Sequence, residues 1–119
     1  MNKLIANGYS SQLYANYAAD LKLANHQVSD LRLQEFVVDI EQCGLMLTQF
    51  NWDDWYQNSH LIERPEYIAD ASLYECRLLL TAMARIDRFS PGILSNMRRK
   101  GVLIAIVERL QALHYRKVG

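Results

Sequence analysis

A chain of 119 residues, half of them apolar, can bury one core without disulfides or metals and reads as a single domain over residues 1–119. Pro and Gly are too sparse for long disordered stretches, and no run reaches the roughly 18 apolar residues of a membrane span. The 13 Lys/Arg balance 13 Asp/Glu, but residues 1–76 carry 4 against 11 and residues 77–119 carry 9 against 2, so the zero is a cancellation. Such sorting points to a charged partner, or to two halves that neutralise each other on folding.

Residues 1–9 read as an irregular lead-in, and Met1–Ala6 is too short an apolar stretch for a secretory signal. Ser10 or Ser11 is placed to cap a first helix carrying Leu13, Tyr14, Tyr17, Ala18 and Leu21 at amphipathic spacing. Asn25-His26-Gln27 reads as a connector. Ser29 or Asp30 then caps a long second helix with one apolar stripe of Leu33, Phe36, Val37, Ile40, Cys43, Gly44 and Leu47. Glu35 and Asp39, on its other side, are neighbours whose repulsion costs roughly 0.2–0.5 kcal/mol unless a cation such as Arg32 stands close.

Asn51 suits an N-cap, and Asp53 and Asp54 complement the positive start of a helix predicted from about 52 to 60. Trp52 and Trp55 are expected to anchor that helix on the core. Arg64-Pro65-Glu66 suits a turn with Pro65 in the first position of a short helical segment. Ser72-Leu73-Tyr74-Glu75 has the capping-box pattern and opens a helix from 73 to about 88. There Cys76, Leu80, Met83 and Asp87 share one face, and Arg77, Thr81, Arg85 and Arg88 share another. Ser90-Pro91-Gly92 gives a second start, with Ser90 as N-cap and a short helix from 91 to about 99 that Gly101 stops. The last helix carries Leu103, Ile106, Val107, Leu110 and Leu113 in one stripe. No segment alternates like a strand, so the fold class is all-α: a compact single-domain bundle of about five or six helices.

Few chemistries fit. His26, His60 and His114 are scattered, and no Cys or His has metal-ligand spacing, so no metal is expected. Phosphate-cradling glycine loops and a nucleophile elbow are absent, so neither an enzyme nor a cofactor is expected. Cys43 and Cys76 fall on apolar stripes and read as buried reduced thiols in a cytoplasmic protein. Asp87 sits on a core-facing stripe, where a carboxylate needs hydrogen bonds. The free amides opening the next helix are the local donors, which makes Asp87 a structural corner. Arg85 and Arg88 repel each other unless something anionic lies between them: the acidic second helix, the end of a neighbouring helix, or an external ligand.

Trp52-Asp53-Asp54-Trp55, Arg85-Ile86-Asp87-Arg88-Phe89 with Gly92, and Gly101-Val102-Leu103 together resemble a family of short bacterial proteins classed as a domain of unknown function. Its members share W-x-x-W, R-x-D-R-F-x-x-G and G-x-[IL] segments. The resemblance covers roughly residues 50–111 and implies a compact helical protein, with no activity attached.

Segregated charge and missing catalytic motifs favour a non-catalytic protein-interaction module. In sharper form this is a small phage or mobile-element regulator or inhibitor, anti-CRISPR-like, docking on a nucleic-acid-handling complex. Its acidic face would comprise Glu35, Asp39, Asp53, Asp54, Glu63 and Glu66, competing for cations that hold phosphates. The alternative is direct nucleic-acid binding through the basic C-terminal third, with Arg85, Arg88, Arg98, Arg99 and Lys100 as anion contacts and Arg109, Arg116 and Lys117 beyond. A further alternative is an enzyme with a site around Arg85, Asp87 and Arg88. Opposite charges on one chain also allow a homodimer.

Overall fold

The computed structural model describes residues 9–22 and 28–118, with side chains for 12–22 and 28–113. Six α-helices and two 3-10 segments make up these residues, without a strand among them. They are α1 (Tyr9–Lys22), α2 (Asp30–Gln42), α3 (Trp52–Asn58), the 3-10 segments Ser59–Ile62 and Pro65–Asp70, α4 (Leu73–Phe89), α5 (Ile93–Arg99) and α6 (Val102–Val118). The fold is an all-α bundle. Residues 1–8 of the expected lead-in and the Asn25–Gln27 connector lie outside the described residues. Tyr9 is already helical, so Ser10 and Ser11 fall inside α1 rather than capping it.

The middle of α4 is the centre of the molecule. Leu78 to Ala84 are all buried, which requires packing on every side of the helix. α3, α5 and α6 pack against it, and α6 in turn runs along α1 and carries the second 3-10 segment. Thr81 is the polar residue in this buried stretch. Its Oγ1 donates to the Arg77 carbonyl at 2.7 Å and accepts from the Leu47 amide at 2.9 Å, so its burial leaves no orphaned hydroxyl. The stripes of α1, α2 and α6 meet in one core that includes Leu13, Phe36, Ile40, Leu103 and Leu110. Each such large apolar side chain contributes about 1.5–3 kcal/mol when fully buried.

Local signals set most of the ends. Ser72 and Glu75 form the capping box reciprocally: Glu75 N donates to Ser72 Oγ at 3.0 Å, and Ser72 N donates to Glu75 Oε1 at 2.8 Å. Ser29 caps α2 through the Arg32 amide, and Asn51 caps α3 through the Asp53 amide.

Two expected boundaries are corrected. α2 stops at Gln42 instead of continuing its stripe to Leu47. Gly44 takes φ +83°, its amide donates to the Glu41 carbonyl, and the Leu45 amide reaches back to Ile40 at 3.1 Å. That double bond is a Schellman stop, with buried Leu45 closing over buried Ile40. Ser90 likewise does not start a helix. Its amide donates to the Ile86 carbonyl at 2.8 Å, ending α4, and Gly92 at φ +117° is the cap from which α5 begins at Ile93.

Candidate functional site

The acids that the sequence groups together fall into two sets. Glu35 and Asp39 are on α2 and both have partners. Arg32 reaches Glu35 at 3.3 Å while its Nε donates to Asp20 at 2.9 Å and its guanidinium stacks 4.2 Å over the Tyr17 ring. Asp39 accepts from the Tyr17 hydroxyl. Burial first, and then the hydrogen bond to Asp39, hold that phenol well above its ordinary value. The other set is Asp53 and Asp54 on α3, Glu63 in the turn between the 3-10 segments and Glu66 in the second segment, with each of these elements contacting the next. Asp54 accepts from the Tyr74 hydroxyl at 2.7 Å, and Glu66 lies 3.8 Å from Arg64. Asp53 and Glu63 are exposed.

α3 also corrects the reading of its tryptophans. A seven-residue helix buries one side only. Trp55 takes that side at 7% exposure, whereas Trp52 remains 41% exposed with its ring edge-on to Phe50 at 4.6 Å. Tyr56, one turn after Trp52, is 69% exposed. Among the described residues seven large apolar side chains are exposed, and four of them, Trp52, Tyr56, Tyr67 and Tyr74, lie in the acidic stretch 51–75. This clustering was not legible in the sequence, because aromatic spacing says which side chains share a face but not whether a neighbour covers them. A groove of about 330 Å³ opens beside the same stretch, between the second 3-10 segment and α6, lined by Pro65, Ala69, Ile104 and Ala105 with Glu66 and Glu108.

The basic third divides differently. Arg77 donates to the carbonyls of Gly44, Leu45 and Met46 at the end of α2. Arg109 donates to the Ala71 carbonyl at 2.7 Å. Arg98 is corrected as a surface anion contact: it is 5% exposed, with Nη1 near the Asp20 carbonyl at 3.5 Å, because α5 turns that side of its last turn inward. Arg85, Arg88, Arg99 and Lys100 are the exposed cations of the set, and Arg99 reaches Ser95 at 3.0 Å. The side chains of Arg116 and Lys117 lie outside the described residues.

Asp87 holds the α4–α5 corner. Its Oδ1 accepts from the Gly92 amide at 3.0 Å and the Leu94 amide at 3.4 Å, and Gln34 approaches Oδ2 at 3.5 Å. These are amides that open α5, so the carboxylate also meets the positive end of that helix. Both cysteines are buried free thiols. Burial pushes the Cys76 thiol up to about 12 and raises Cys43 as well, which keeps both protonated and unreactive at neutral pH. Among the described residues no group of three His, Cys, Asp or Glu is placed to hold a metal ion, and no helix is long and apolar enough to cross a membrane.

Together these features define a small all-α protein whose exposed surface includes acids and aromatics over residues 51–75 and the cations Arg85, Arg88, Arg99 and Lys100. The chain belongs to a family of unknown function, DUF6508, which matches residues 14–116. The match extends past the motif-bearing stretch 50–111 to include most of α1 and all of α2. No curated protein and no solved structure matches the chain.

Proposed function

We propose that this protein is a non-catalytic interaction module, docking through the acidic, aromatic side of α3 and the 3-10 segments onto a basic surface of a protein partner. The observation that carries this reading is the exposure of Trp52 and Tyr56 one turn apart, beside Asp53. Trp and Tyr bury about 150–250 Å² each and dominate binding energy where they meet a partner. Leaving both in water forgoes that gain unless another surface covers them. Asp53 on the same helix, with Glu63 and Glu66 further along the stretch 51–75, would steer a basic partner and set its orientation. The groove edged by Glu66 and Glu108 would accept an apolar side chain from a neighbouring part of the same partner.

The basic surfaces this fits are those that normally hold phosphates, which makes a nucleic-acid-handling complex the favoured partner and a phage or mobile-element inhibitor the sharper form of the proposal. We centre the acidic surface on residues 51–75, because Glu35 and Asp39 are engaged by Arg32 and Tyr17.

Affinity capture tests this. The immobilised protein should retain a basic partner at about 50 mM salt and release it at about 500 mM, where the Debye length has fallen about threefold. The triple variant Asp53→Lys, Glu63→Lys, Glu66→Lys should retain none of it while still melting cooperatively, with only the small loss expected from reversing charge at the start of α3. Equal retention by the triple variant, or a partner held through nucleic acid and lost on nuclease treatment, would overturn the reading.

A further inference from the structure

α4 presents three arginines towards α2 and the loop after it, and the structure gives them three different surroundings. Arg77 is taken up by carbonyls. Arg88 stands 3.6 Å from Glu41 of α2, with both side chains largely exposed. Arg85 has its guanidinium 5.1 Å from the centre of the Phe50 ring, and no carboxylate among the described residues comes within ion-pair distance of it. That contact places the guanidinium over the ring face, and no acceptor among the described residues takes its N–H groups.

Arg85 and Arg88 line a cleft of about 210 Å³ together with Met46, Leu47, Ala84, Thr81 and Glu41. Two cations three residues apart repel each other, and an anion between them would remove that cost. The space is smaller than the roughly 300–1,000 Å³ of small-molecule sites, so it suits one side-chain-sized group. The two guanidiniums match a carboxylate, which each can bind in fork geometry. The apolar part of the lining matches an aliphatic stem. Glu41 adds a negative charge that disfavours a dianionic phosphate more than a single carboxylate.

We infer that the Arg85–Arg88 cleft is a docking point for an acidic peptide segment of a protein partner, in which a Glu or Asp carboxylate enters beside an apolar residue. The cleft has the opposite sign to the acidic surface of α3 and stands independently of whether that surface docks. On binding, the carboxylate displaces Glu41 from Arg88, and the neighbouring apolar side chain covers Met46 and Leu47.

Fluorescence polarisation with a labelled peptide of alternating Glu and Leu, against its Gln/Leu counterpart, tests the inference. The acidic peptide should bind at least about tenfold more tightly, and Arg85→Gln and Arg88→Gln should each weaken it about tenfold. Glu41→Gln should tighten binding by removing the internal competitor, an effect that nonspecific charge attraction through distant residues does not produce. Arg99→Gln, at another exposed arginine, should leave binding unchanged. The inference is overturned if the Gln peptide binds equally, or if Arg99→Gln weakens binding as much as Arg85→Gln. It is equally overturned if inorganic phosphate or a single-stranded oligonucleotide displaces the peptide at lower concentration than free glutamate. A chain that dimerises and loses the dimer on Arg85→Gln would assign the cleft to a second copy instead.

Discussion

Arg77 Nε donates to the carbonyl of Leu45 at 3.1 Å, and its Nη2 adds the carbonyls of Gly44 and Met46, each at 3.2 Å. A helix C-terminus carries partial negative charge and unpaired carbonyls. One guanidinium therefore ties the turn that ends α2 to the central helix. The loop that follows is fixed by the same helix one turn on, through Thr81 and the Leu47 amide. Gln34 near Asp87 and Glu41 near Arg88 add side-chain contacts between α2 and the end of α4.

Arg77→Ala leaves three carbonyls without that donor, and hydrogen bonds to charged groups contribute roughly 1.5–3 kcal/mol. A loss of about 2–3 kcal/mol is expected in urea unfolding, with an unchanged slope. Arg77→Lys should recover less than half, because an ammonium lacks the planar fork that spans several carbonyls. A loss under about 0.5 kcal/mol for Arg77→Ala would show that water replaces the guanidinium at no cost.

Asp87→Ala removes the acceptor from the Gly92 and Leu94 amides, a change equivalent to losing a helix cap. It should cost about 1–2 kcal/mol. Asp87→Asn keeps one acceptor oxygen and should cost about half as much, since only the charge at the helix start is lost. Thermal melts of the two variants check the order. Equal losses would mean that charge, not hydrogen bonding, holds the corner.

Alkaline conditions should destabilise the protein. Cys76 is raised to about 12 by burial, and Cys43 and Tyr17 are raised as well, in each case first by burial. The unfolded chain releases its thiol protons near the ordinary value of about 8.5, whereas the native state retains them. The unfolded state then binds fewer protons, so unfolding free energy falls as pH rises. The stability is complete below about pH 8.5 and is lost progressively as pH climbs towards about 12. Melting temperature against pH reads this directly. Cys76→Ala should flatten the alkaline slope even though it lowers the melting point at neutral pH. A wild-type melting point that stays flat through alkaline pH would contradict the thiol burial.

Much of the fold was legible because its signals are local. The Ser72/Glu75 capping box, the Ser29 and Asn51 caps and the stripes of α2 and α6 each need only a few neighbouring residues. Gly44 was misread because a glycine at helical spacing continues an apolar stripe on paper. The stop depends on its positive φ and on Leu45 folding back over Ile40. At Ser90-Pro91-Gly92 two start signals overlapped, and the last bond of α4 took Ser90 for the preceding helix. The candidate site was less legible. Arg77, Arg98 and Arg109 donate to carbonyls 31 to 78 positions away, a destination that charge counting does not reveal. The same limit hid the exposure of Trp52, which depends on how little of α3 the rest of the bundle covers.

The central claim is that Trp52 and Tyr56 anchor a protein partner. The most direct measurement is the dissociation constant of the captured partner for the wild type and for the double variant Trp52→Ala, Tyr56→Ala, each shown to melt at a similar temperature. Two anchor aromatics contribute about 2–4 kcal/mol each at an interface centre, so a weakening of about 1,000-fold or more is expected. A partner bound equally well by the double variant would contradict it.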